Sequence, residues 1–174
     1  WDNNATTTMT GSTVVFVATS TSETIDTTGA TVFAFDNITF GTTTGNATWT
    51  PATALDIDGD LTVDRGTLAR GALEITVAGN LVTGANGFWT GISTTTFDGG
   101  TTANWSDSNA VLQNVGYVVI DDTSKNVTLS GNVAAQSIEI GANDTLDASA
   151  SHYDITVYGD WNNQNNFIAR SGEI

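Results

Sequence analysis

Apolar residues fall in short clusters along this chain, with no amphipathic stripe of helical period. From the middle of the chain they centre on Ile57, Val63, Leu68, Ile75, Leu81 and Phe88. Further on they centre on Val127, Val133, Ile138, Leu146 and Ile155, then on Trp161 and Phe167. Clusters about five to seven residues apart, divided by Gly, Asp and Asn, predict strands of about three to five residues joined at sharp corners. Within Leu55-Asp56-Ile57 the alternation puts Leu55 and Ile57 inward and Asp56 outward. Three such strands take about twenty residues, and the sequence returns to itself at that interval. Gly59-Asp60-Leu61-Thr62-Val63 is answered by Gly79-Asn80-Leu81-Val82-Thr83, and Leu68 by Phe88 at the same offset. A chain that regains its phase after three short strands winds as a parallel β-solenoid. Equivalent strands then stack about 4.8 Å apart, so like residues lie on one another. Asp60 over Asn80 lessens the repulsion that stacked carboxylates would suffer.

A longer echo overlies the short one. Glu74-Ile75-Thr76-Val77-Ala78-Gly79-Asn80 returns about eighty residues later as Asp154-Ile155-Thr156-Val157-Tyr158-Gly159-Asp160, which sets Trp1, Leu81 and Trp161 at equivalent positions. The expectation is one domain, 1–174, made of copies 1–80 and 81–160, with 161–174 opening a third. Surplus residues at Ala148-Ser149-Ala150-Ser151-His152 must loop outward, and Gly41-to-Trp49 and Gly99-to-Asn109 read as similar excursions. The rival architecture is an antiparallel β-sandwich, which shares short strands and frequent turns. The twenty-residue echo has no place in one.

Composition narrows the classes of partner. The 174 residues carry a net charge of −15, with Arg65, Arg70, Lys125 and Arg170 the four cations. Such an acidic chain is repelled by phosphate backbones and anionic bilayers, which argues against nucleic acid. Five Trp and seven Phe argue against an acidic disordered tail. The absence of Cys removes disulfides and thiolate chemistry. No apolar run approaches the roughly twenty residues of a transmembrane helix. Because the numbering opens at Trp1 and not Met, the expectation is a processed protein or an excised piece.

The sharpest chemical pattern is Asp56-Ile57-Asp58-Gly59-Asp60 with Asp64. Alternating carboxylates suit Ca²⁺, but the glycine comes fourth instead of sixth, and Thr67 stands where a closing Glu belongs. The Gly-Asp step also recurs as Gly79-Asn80, Gly131-Asn132 and Gly159-Asp160, so it reads first as a corner and only then as calcium chemistry. No metal or catalytic residue is assigned. Asp56, Asp58, Asp98, Asp121 and Asp122 are raw material for two-carboxylate glycoside chemistry and no more. The one His, His152, falls in an expected loop with no nucleophile beside it. Trp49, Phe88, Trp89, Trp105 and Trp161 could form a sugar platform or pack inside, with Trp89 facing opposite to Phe88 and read as exposed. Asn-x-Ser/Thr occurs at Asn4, Asn37, Asn46, Asn104, Asn126 and Asn143, with Asn46 and Asn104 in expected loops.

The strings Gly59-Asp60-Leu61-Thr62-Val63, Gly66-Thr67-Leu68 and Ile75-Thr76-Val77-Ala78-Gly79-Asn80-Leu81 resemble the repeats of secreted bacterial and archaeal β-solenoid surface proteins of adhesin, autotransporter-passenger and filament type. The resemblance implies export, a structural or adhesive role, and polymerisation. The expected function is an extracellular, non-enzymatic building block of a fibre, sheath or surface layer that binds copies of itself head to tail. That expectation draws on Trp161 repeating Trp1 and on Ile174 lying near the phase of Val14. The alternatives are a carbohydrate- or Ca²⁺-dependent binding module and, behind it, a polysaccharide lyase or hydrolase.

Overall fold

A computed structural model describes residues 1–5, 9–29 and 34–174. Its strands are β1 (Thr13–Phe16), β2 (Glu23–Ile25), β3 (Asn37–Phe40), β4 (Thr48–Pro51), β5 (Leu55–Ile57) and β6 (Leu61–Ala69). There follow β7 (Ile75–Val77), β8 (Leu81–Thr90), β9 (Thr94–Phe97), β10 (Thr102–Asp107), β11 (Tyr117–Ile120) and β12 (Asn126–Leu129). The chain ends with β13 (Val133–Ala135), β14 (Ser137–Ile140), β15 (Thr145–Asp147), β16 (Ile155–Val157), β17 (Trp161–Asn163) and β18 (Asn166–Ile168). Every pairing between these strands is parallel, and they wind as a β-solenoid of about seven turns. The antiparallel sandwich is excluded.

Each coil has three sides. The first carries β1, β3, the opening of β6 and of β8, β10, β12, β15 and β18, in that order. The second carries β2, β4 and the far halves of β6 and β8, then β13 and β16, with Asn114 bridging to Ala134 between them. The third is a six-stranded sheet of β5, β7, β9, β11, β14 and β17. Alternation decides the core. Leu55, Ile75, Thr95, Val118, Ile138 and Trp161 form one inward column, and Ile57, Val77, Phe97, Ile120 and Ile140 the next. Each such aliphatic side chain, buried in full, contributes about 1.5–3 kcal/mol. The hydrophobic side chains packed on the core yet only partly buried are Met9, Val14, Phe16 and Ala18 near one end and Tyr153, Val157, Trp161 and Phe167 near the other.

Three expectations need correction. The twenty-residue offset holds from Leu61↔Leu81 to Val63↔Thr83, but a register shift follows, and Arg65 pairs with Asn86. One extra residue in β8 therefore sets Leu68 opposite Trp89, not Phe88. Phe88 points out, 44% exposed, and Trp89 points in, 8% exposed. The span Gly99-to-Asn109 is no plain excursion, because Ala103, Trp105 and Asp107 alternate inward along β10; the excursion starts after Asp107. Finally, Trp1, Leu81 and Trp161 lie on different sides. Asp2 bridges to Asp26 beyond β2 on the second side, Leu81 opens β8 on the first, and Trp161 opens β17 on the third. Likewise Ile75–Val77 lies on the third side and Ile155–Val157 on the second. The eighty-residue echo is one of strings, and it joins different sides of the coil.

Candidate functional site

The Gly-Asp corner is built as a ladder of side-chain acceptors. Asn37 Oδ1 accepts the Asp60 backbone N–H at 2.9 Å, Asp60 Oδ1 that of Asn80 at 2.7 Å, and Asn80 Oδ1 that of Asn104 at 2.7 Å. A short side chain with an oxygen at Cγ reaches one coil on, which Gly59 and Gly79 permit: a Cβ on Gly79 would meet the Gly59 carbonyl at 2.7 Å. The same device recurs at another corner. Asn132 Oδ1 accepts from Asp154 N at 2.9 Å, and Asp154 Oδ1 from Glu173 N at 2.8 Å. Gly159-Asp160 lies at a third corner, where the Asp160 carbonyl accepts from Ile138 N at 3.0 Å.

Within the Asp56–Asp64 stretch, Asp60 thus spends one oxygen on the ladder. Asp56 accepts from the Thr76 hydroxyl at 3.1 Å, and Asp56, Asp58 and Asp64 are exposed. Among the described residues, no group of three or more His, Cys, Asp or Glu is placed to hold a metal ion.

Three of the five candidate carboxylates share one neighbourhood. Burial raises the Asp98 carboxyl above its ordinary range, the charges of Asp56 and Asp122 add to the rise, and Lys125 opposes it. Asp121 is exposed at the corner after β11, and Asp58 is exposed just after β5. His152 is exposed and accepts from the Ser171 backbone N–H at 3.1 Å.

Residues that sequence reasoning passed over stand beside this strip. Lys125 is buried, and its ammonium donates to the carbonyls of Asp98 at 2.8 Å, Gly99 at 2.6 Å and Ala78. Asp144, wholly buried, accepts the backbone N–H groups of Lys125 at 2.6 Å and Asp122 at 3.2 Å. Arg70 is buried too, and among the described residues no carboxylate pairs with it. Its guanidinium donates to the Ser93 carbonyl at 2.5 Å, the Val115 carbonyl at 2.7 Å and the Thr95 hydroxyl at 2.6 Å, and lies 5.7 Å from the Trp89 ring centroid. Burial lowers its pKa to about 10. The available signal was scarcity: each of four cations among nineteen acids invites a reason.

The aromatic platform does not assemble. Trp49 and Trp105 are buried with Trp89, Trp161 is half-buried, and Phe88 alone of the five is exposed. Asn4, Asn46, Asn104, Asn126 and Asn143 are exposed; Asn37 is half-buried within the ladder, and Thr6 of the Asn4 motif lies outside the described residues. Near one end a groove of about 280 Å³ runs beside β16, lined by Asp154, Ile155, Thr156, Val157, Glu173 and Ile174. No helix among the described residues is long and apolar enough to cross a membrane. Compared with known proteins, the chain matches no family model, no curated protein and no solved structure.

Proposed function

We propose that this chain is an extracellular structural module, a building block of a fibre, sheath or surface layer whose coils continue head to tail into a further copy. The carrying observation is the distribution of half-covered core. Trp161 and Phe167, 4.8 Å apart edge to face, lie partly open near one end, as do Phe16 and Met9 near the other. Between them the inward columns are closed. A strand edge beside such surface favours addition of another strand, and head-to-tail addition generates an open filament. The phase argument from Trp1 and Trp161 no longer supports this reading, since the two lie on different sides. Support comes from the second side, where Asp2 bridges to Asp26 and the Glu173 carbonyl accepts from Ile155 N at 2.9 Å. Strand order on that side is thus extended at both extremes.

Electron microscopy and sedimentation of the purified chain test the proposal. The expected result is filaments of solenoid width growing with concentration. Compact monomers at every concentration, together with a parent gene that encodes no further solenoid coils, would sink it. The alternative, a glycan-binding module, draws on the exposed rings of Phe88, Tyr117 and Tyr158. Saturable heat on titration with a glycan panel, abolished in Phe88→Ala, would favour it instead.

A further inference from the structure

In a solenoid each coil touches the coil before and the coil after, so coils can peel away singly from the ends. Among the described residues, the side chains of Arg70 and Lys125 break that rule. Arg70 follows β6 in the third coil, and its guanidinium bonds Ser93 and Thr95 in the fourth and Val115 in the fifth. Lys125 precedes β12 in the sixth coil, and its ammonium bonds Asp98 and Gly99 after β9 and Ala78 after β7. The first reaches across the strand starts of the third side and the second across the strand ends. Both bracket the same three strands, β7, β9 and β11.

We propose that Arg70 and Lys125 form a paired clamp that makes β7, β9 and β11 the kinetic lock of the solenoid, the block that opens last. A front unwinding from the β1 end meets Arg70, whose release breaks bonds to two later coils at once. A front from the β18 end meets Lys125, whose release breaks bonds to strand ends several coils earlier. Each cation therefore guards one approach. The bonds are charge-assisted and shielded from water, since each side chain is 1% exposed. Among the described residues neither cation has a salt-bridge partner, and apart from the Thr95 hydroxyl the acceptors are backbone carbonyls that flank the sheet strands. The Trp89 ring adds a face for the guanidinium. The lock belongs to the single chain and operates whether or not copies assemble.

Native-state hydrogen exchange on the whole chain tests this. In the unaltered protein the amides of β7, β9 and β11 should exchange at least about tenfold more slowly than those of β4 and β14. Arg70→Met and Lys125→Met keep volume and remove the donors; each should cut that protection by about tenfold or more while β4 and β14 change less. Arg70→Lys and Lys125→Arg retain charge with altered reach, and serve if the Met variants do not fold. Exchange in β7, β9 and β11 in step with the flanking strands of the unaltered chain would overturn the clamp. So would variants that lower protection evenly over all coils.

Discussion

At the residue scale, Asp60 is an acceptor before it is a charge. Its Oδ1 takes the Asn80 N–H in place of a backbone carbonyl, and the neighbouring rungs use Asn. Asp60→Ala should cost about 1 kcal/mol in urea denaturation by stranding that donor. Asp60→Asn keeps the acceptor and lightens a −15 chain, so it should be at least as stable as the parent; equal losses for the two variants would show that the rung does not matter. Asp98 behaves oppositely. Its folded pKa lies above the ordinary 3.8, chiefly through burial, so the folded state binds this proton more tightly than the unfolded state. Its contribution is full below 3.8 and fades as pH rises through the folded value. Asp98→Asn should therefore raise stability at neutral pH and flatten the profile on that limb. Asp147, held low by its hydrogen bonds from Arg170, works the other way, with stability present above 3.8 and lost as pH falls through its depressed value. Melts across the acid range separate the two.

At the scale of strands, the winding itself was legible. Short apolar clusters, Gly-Asp corners and a twenty-residue return pointed to a parallel coil over an antiparallel sandwich, and Asp60 over Asn80 was read in its true register. What misled was a single inserted residue. A shift between Val63 and Arg65 exchanges the fates of Phe88 and Trp89, because one residue of slip turns every later side chain over. Nothing in a string marks the strand that bulges. The pair offers a direct check by thermal unfolding: Trp89→Ala should cost about 3–5 kcal/mol, and Phe88→Ser less than about 0.5 kcal/mol. Comparable losses would restore the simple offset. Strand β10 was missed for a related reason. Its inward Asp107 looks like loop chemistry, yet that carboxylate folds the next turn, accepting from Asn109 N at 2.8 Å and Gln113 N at 2.5 Å. The clamp was hidden altogether, since spacing along a chain does not disclose which carbonyls converge on an ammonium.

For the whole molecule, charge sets the terms of association. Two of the four cations are buried and a third, Arg170, is paired with Asp147 at 2.8 Å, which leaves the surface more uniformly acidic than the net charge suggests. Under the proposed head-to-tail assembly, copies must overcome that repulsion, which salt screens over about 10 Å at 0.1 M. Sedimentation should find self-association strengthening at least about tenfold as ionic strength rises through that range; association that weakens with salt would point to ion pairs between copies in place of apolar ends. The side-chain ladders carry one more consequence. In all five rungs described, the oxygen belongs to the earlier coil and the N–H to the later: Asn37 to Asp60, Asp60 to Asn80, Asn80 to Asn104, Asn132 to Asp154, Asp154 to Glu173. These two ladders thus have a grain, although the Asp144 carboxylate, which accepts from the earlier Asp122 and Lys125 N–H groups, runs against it. A chain delivered N-terminus first, as from a ribosome, finds each acceptor of these ladders already in place when the next turn arrives, and winding can keep pace with delivery there.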